Sequence, residues 1–148
     1  MAKPANDSLQ LFIVLSRASQ WVNAHADRHI RRIGLNRTEF GVLELLYHKG
    51  RQPLQQIGEK ILMTSGNITY VVDKLVQKEF VARVASPEDR RVWFAEITDK
   101  GKAFIEDTFP EHTAVIEEAV KGLTSEEKQA AAELLKKLGH SAEQSFKK

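Results

Sequence analysis

Three groups of side chains in this sequence have the types and spacing to do chemistry. The run Ser86-Pro87-Glu88-Asp89-Arg90-Arg91 sets two carboxylates against two guanidiniums, between apolar stretches at 80–84 and 92–97. A carboxylate beside a guanidinium holds it extended and cancels its charge until a stronger anion arrives. A guanidinium presented this way suits a narrow, negatively charged cleft such as the minor groove of duplex DNA. A second group lies just upstream. Ile68, Val71, Val72, Leu75 and Val76 recur at i, i+3, i+4, i+7 and i+8, a single inward stripe of a helix. Left outside are Ser65, Gly66, Asn67, Thr69, Tyr70, Asp73, Lys74 and Gln77. The first of these are short hydrogen-bonding groups at a helix N-terminus, whose free backbone N–H groups suit a phosphate. Small polar side chains there reach base edges in a major groove about 12 Å wide. The third group, His25 and His29, has the i, i+4 spacing of a metal clamp. Between them stand Ala26-Asp27-Arg28, without the glutamate of the zinc-protease pattern, and His48 and His112 would join only through the fold. Surface or interface histidines are the expectation, with no metal site. No Ser/His/Asp set, phosphate-cradling loop or paired-carboxylate signature is present, so neither an enzyme nor a cofactor is expected.

The elements that must position these groups follow from periodicity. From residue 8 to about 33, Leu9, Phe12, Leu15, Ala18, Trp21 and Val22 recur at helical spacing, and Ile13 and Val14 add apolar surface outside that stripe. A helix greasy nearly all round needs cover on more than one side, and a second subunit is the natural source. Gly34 ends it in the manner of a C′ residue. Asn36-Arg37-Thr38-Glu39 has capping-box spacing and opens a helix with Phe40, Leu43, Leu46 and Tyr47 on one face. A short third helix turns Leu54, Ile57 and Ile61 inward, and Thr64 or Ser65 caps the fourth. Two strands follow, at 80–84 and 92–97, joined by the charged turn. Thr98 or Asp99 caps a long helix to about 121, within which Pro110 predicts a kink or break. Thr124-Ser125-Glu126-Glu127 opens a last helix carrying Ala131, Leu134, Leu135 and Leu138, with Gly139 expected to stop it and the end frayed.

Composition narrows the class. The 148 residues, 42% hydrophobic and 28% charged, suit one globular domain with a proper core. There is no cysteine, which excludes disulfides, cysteine zinc sites and thiol switches. No apolar run approaches the roughly 20 residues of a membrane span, and no apolar signal core follows Met1, so a cytoplasmic, nucleoid-associated protein is expected. Net charge is only +2, but basic residues dominate 1–94 and acidic ones 95–148. The two chemically interesting groups lie in the basic part.

Taken together, Ile68-Thr69-Tyr70-Val71-Val72-Asp73-Lys74-Leu75, then Phe80-Val81, the turn 86–91 and Ile97-Thr98-Asp99-Lys100-Gly101 resemble the MarR family of bacterial transcriptional regulators. The resemblance runs from the first helix to about Gly139; Ser86 departs from it, standing where many members have Asp. It implies a mainly α fold with a small β-hairpin wing: a winged helix-turn-helix at 36–98, flanked by dimerisation helices at 8–34 and 99–148 of one domain. It further implies a homodimer on a palindromic operator, released when a small effector occupies the cleft between the two regions. Phe12-Ile13-Val14-Leu15-Ser16-Arg17 with Trp21, and Leu45-Leu46-Tyr47-His48-Lys49-Gly50, resemble the subgroup that regulates catechol- and quinone-detoxification genes, pointing to a phenolic or aromatic effector.

The residues assigned to DNA are Ser65, Asn67, Thr69, Tyr70, Lys74, Arg83, Asp89, Arg90 and Arg91, with Arg91 matching the inserted wing position and Arg90 meeting backbone. Gln55 and Gln56 stand where the preceding helix meets backbone. Asp73 either orients an arginine, accepts from cytosine, or makes a salt bridge internal to the fold. The effector pocket is expected among Phe12, Trp21, Phe40 and Tyr47. The rival class is a winged-helix protein–protein module that buries the same helix against a partner.

Overall fold

The computed structural model describes residues 6–61 and 65–148, with the side chains of residues 65 and 66 outside the description. The chain begins with α1 (Asp7–Arg32), capped by the Asn6 side chain, which accepts from the N–H of Ser8 at 2.7 Å. It closes on Gly34, at φ +88°, where the N–H of Leu35 reaches back to the carbonyl of Ile30. A left-handed residue is needed there, and glycine adopts that conformation without a Cβ clash. The capping box opening α2 (Arg37–Lys49) forms as its spacing predicts, Asn36 and Glu39 each bonding the other's backbone N–H. Next come β1 (Gln52–Pro53), α3 (Leu54–Lys60) and α4 (Ser65–Gln77). The wing follows as β2 (Val81–Ala85) and β3 (Trp93–Ile97), then α5 (Asp99–Ala119) and α6 (Ser125–Phe146).

The wing hairpin is antiparallel, with Val81 opposite Ile97 and Ala85 opposite Trp93, and β1 pairs on the other edge of β3. That third strand was not expected. Two residues offer no alternation to read, and Pro53 is tolerated because it sits on an edge. The core joins α2, α3, α4, the sheet and the start of α5 through Leu43, Leu46, Ile57, Val72, Leu75, Ala95 and Ile105. Each large side chain buried there stabilises by about 1.5–3 kcal/mol. Ile68, Val71, Val72 and Leu75 are buried and Val76 packs against them, which holds the β-branched α4 in register.

Two helix ends differ from the sequence expectation. Helix α5 runs through Pro110 without a break. The bond Pro110 cannot make would have gone to the carbonyl of Glu106, an exposed residue, so the lost bond does not strand a buried acceptor. Helix α6 likewise continues through Gly139 to Phe146. An interior glycine costs only about 1 kcal/mol relative to alanine, and the residues around it favour helix. The expected cap at Thr64 or Ser65 lies outside the described residues.

Helix α1 packs on α5. It nevertheless leaves Leu9, Leu11, Phe12, Ile13 and Val14 of its first turns and Trp21 near its middle exposed, and α6 buries none of its residues, with Leu134, Leu135 and Leu138 in the open. Among the described residues no helix is long and apolar enough to cross a membrane.

Candidate nucleic-acid interface

With its apolar stripe locked inward, α4 turns Asn67, Thr69, Tyr70 and Asp73 outward. Lys74 lies back over the ring of Tyr70, 5.4 Å from its centroid, so phenol and ammonium form one unit midway along the helix. Ser65 falls among the side chains outside the description. Asp73 pairs with Arg83 of β2, and the same guanidinium approaches the carbonyl of Thr69 at 3.5 Å. The carboxylate thus makes the internal salt bridge and, by making it, orients an arginine beside the exposed helix face. Arg83 is assembled into this surface rather than standing free.

The wing tip is built from its own backbone. Ser86 Oγ accepts from the N–H groups of Glu88 and Asp89, closing the turn at the position that departs from Asp. Asp89 then accepts from the N–H of Arg91 at 3.0 Å and from Arg91 Nε at 3.2 Å. Those contacts hold the Asp89 carboxyl below the usual carboxylate range, the Arg91 side chain contributing most. The Arg91 side chain is 90% exposed, so it is aimed by one carboxylate and otherwise touches water. Arg90 is exposed beside it. Gln55 at the start of α3 and Arg91 at the end of the wing-tip turn line one groove of about 170 Å³ with Trp93, an exposed aromatic that sequence reasoning left unassigned. Gln56 is exposed one residue on. The wing and the start of α3 therefore share a groove that carries one amide and one guanidinium.

The four aromatic residues expected in a pocket are not brought together within one chain. Phe40 is a core residue, while Phe12 and Trp21, the latter 67% exposed, lie on the open face of α1. Tyr47 lines a groove of about 310 Å³ between α2 and α5, with His48, Ile105, Glu106, Phe109 and Pro110. The reason is geometric: the α1 aromatics project from a helix whose outer side needs another surface, and only the α2 aromatics face this chain's core.

His25 and His29 line one groove between α1 and α5 with Glu111, and His29 is engaged across it by α5. His29 is 1% exposed and turns Nδ1 to Nδ1 of His112 at 3.2 Å, across 83 residues of sequence that give no hint of the pairing. His29 Nε2 is buried without a hydrogen-bond partner, 3.8 Å from Glu111 Oε1. His112 also packs on Phe40, ring centroids 4.7 Å apart. Among the described residues, no three metal-type side chains gather.

Burial lowers the His112 pKa below 6.5, the neighbouring His29 adds to this, and Glu44 opposes it. The folded chain therefore binds fewer protons there than the unfolded chain. Stability from this group is intact above about pH 6.5 and is lost as pH falls below that value towards the folded pKa. A series of thermal melts from pH 7.5 to 5.5 should show a declining melting temperature, and His112→Phe should flatten that decline. An equal decline in the variant would assign it to other groups.

Against known proteins, the MarR family model matches residues 35–93. The HTH-type transcriptional regulator MhqR of Bacillus subtilis is 60% identical over 137 residues, covering 93% of this chain and 94% of that one. Among solved structures, Sco3205 of Streptomyces coelicolor, a MarR family regulator in complex with DNA, superposes with a TM-score of 0.83 at 23% identity, covering 95% of this chain and 91% of that one. BpsR of Bordetella bronchiseptica, whose DNA binding is regulated by 6-hydroxynicotinic acid, superposes at 0.80 with 25% identity, covering 88% and 98%. Helix α4 seated on the core, a wing carrying Arg91, and identity to a regulator of this kind along nearly the whole chain lead to one conclusion: the chain belongs to the MarR family of transcriptional regulators.

Proposed function

We propose that the chain works as a homodimeric, sequence-specific DNA-binding repressor, released from a palindromic operator by a small phenolic or aromatic effector. The observation that carries the reading is α4: its apolar side is locked into the core, its free side offers Asn67, Thr69 and Tyr70 with Arg83 tied beside them by Asp73, and the wing carries a separate arginine aimed by Asp89. Lys74, Arg83 and Arg90 supply phosphate contacts around that reading surface, Ser65 joins it at the helix start, and Arg91 enters the minor groove.

The dimer rests on apolar surface that a single chain leaves uncovered. Residues 8–34 and 99–148 carry it, while 36–98 form the DNA-binding part. A groove of about 590 Å³ between α1 and α6, lined by Leu15, Val22, Leu123 and Leu135, has a matching supply of exposed apolar side chains on the first turns of α1. Two recognition helices must then sit about 34–36 Å apart to enter successive major grooves on one DNA face. An effector between the dimerisation helices and the DNA-binding part, against Phe40 and Tyr47 with Phe12 and Trp21 of the α1 surface, changes that distance. BpsR gives this chemistry a precedent, since its regulator is a hydroxylated aromatic acid. To move the protein from 1:99 to 99:1, the effector needs about 5.5 kcal/mol of preference for the form that cannot bind. No membrane partner is invoked, and the site of action is the nucleoid.

A salt titration tests the reading. Log affinity for duplex DNA should fall linearly with log salt, at about −0.9 per neutralised phosphate, giving a slope of about −5 for a dimer with three phosphate contacts per subunit. Absence of DNA binding at low salt would overturn the reading and leave a protein–protein module in its place.

A further inference from the structure

The chain leaves the recognition helix through a short segment that touches the end of α1 and the start of α5. Lys78 follows α4 directly. Its Nζ donates to the carbonyl of Gly34 at 2.8 Å and to Glu39 Oε2 at 3.3 Å. Gly34 is the left-handed residue that ends α1, and Glu39 is the capping-box residue of α2, its other oxygen taken by the N–H of Asn36. Glu39 is buried, so the ammonium neutralises a carboxylate that water does not solvate. One cation therefore joins the end of α1, the start of α2 and the end of α4.

The other side of the same segment is tied to α5. Thr98, the N-cap of α5, donates its hydroxyl to the carbonyl of Glu79 at 2.7 Å and its N–H to the carbonyl of Phe80 at 3.0 Å. Lys100 pairs with Glu79 at 2.9 Å. Gly101 approaches so closely that a Cβ on it would meet the Phe80 carbonyl oxygen at 2.3 Å. Glu79 accepts a φ of +68°, and among the described residues it is the only non-glycine with positive φ. Such a conformation persists only where its surroundings over-determine it.

We propose that residues 78–80 are the joint through which the dimerisation helices set the tilt of the recognition helix, with Lys78 as a positioning residue for operator spacing. The inference rests on the DNA-binding reading above. Its force comes from leverage. Lys78 and Asn67 lie about 16 Å apart along the helix at 1.5 Å per residue, so a tilt of about 10° at the joint moves the reading end by about 3 Å. That is close to the rise of one base pair, about 3.4 Å. Hydrogen bonds to a fixed carbonyl and a buried carboxylate are short-ranged and directional, so they resist such a tilt until α1 and α5 themselves move.

Removing the ammonium alone would strand the Glu39 charge, so the test uses Lys78→Met together with Glu39→Gln, which keeps a capping-box side chain. A duplex selected from random sequence by the unaltered protein defines the operator, and duplexes with half-sites one or two base pairs further apart, and a single half-site, complete the set. The unaltered protein should bind the widened duplexes at least roughly tenfold more weakly, the usual scale for one misplaced set of base contacts. The double variant should lose most of that discrimination while keeping its dimer and its half-site affinity, and Lys78→Arg should retain the discrimination. The proposal is overturned if the double variant discriminates as sharply as the unaltered protein, or if its half-site and full-site affinities fall together. An unaltered protein that binds DNA yet ignores spacing overturns the joint alone; one that binds no duplex overturns the DNA-binding reading with it.

Discussion

An Arg91→Ala variant is expected to bind operator DNA at least roughly tenfold more weakly while keeping its dimer and its melting temperature. A guanidinium contact in a DNA groove is worth about 1–3 kcal/mol, and each 1.4 kcal/mol is a factor of ten. In the proposed dimer two copies would be inserted, so the combined loss lies towards the upper end. Stability should not follow affinity, because Arg91 is 90% exposed and its side-chain bonds end on Asp89 of the same turn. An exposed pair of this kind contributes little to folding. Asp89→Asn should have a smaller effect, since the cation remains and only its aim is loosened. The measurements are fluorescence anisotropy against a labelled duplex and a thermal melt. A variant that melts early or dissociates would mean that the wing tip belongs to the dimer rather than to DNA.

The largest effect on stability is expected at Gly101. Alanine there would set its methyl 2.3 Å from the Phe80 carbonyl oxygen and 2.8 Å from Ile97 Cγ1. Neither neighbour yields easily: the first is backbone bonded to Thr98, and the second is a buried core side chain on β3. Overpacking of this kind costs about 3 kcal/mol, which in a chain of this size lowers the melting temperature by about 6–12 °C. Gly139→Ala is the control. Open space surrounds that position, and alanine should leave stability unchanged or raise it slightly. Melts of the two variants side by side separate steric demand at Gly101 from a general effect of losing glycine. If the two behave alike, the close approach of α5 to residue 80 is wrong.

Local rules made most of the elements legible. The stripe of Ile68, Val71, Val72, Leu75 and Val76 identified α4 and, by subtraction, its outward face; the first four are buried and Val76 is partly buried against them. Asn36 with Glu39 and Thr124 with Glu127 formed the capping boxes their spacing announces. The turn at 86–91 became a wing tip because its hydrogen bonds run between residues two or three apart. Where local rules failed, context outweighed them. Pro110 and Gly139 are helix breakers in isolation, yet each costs less than the surrounding helix gains.

What the sequence determined by itself was therefore the set of short-range decisions: which residues form α4, which side of it faces in, and which arginine stands at the wing tip. Tertiary structure alone decided the long-range pairings. Asp73 meets Arg83, His29 meets His112, Lys78 meets Gly34 and Glu39, and β1 joins β3, because each brings together groups on different elements. The spacing of residues along one helix is set by a fixed pitch, whereas contacts between helices depend on how several apolar faces settle against one another. Periodicity records the first and carries no information about the second.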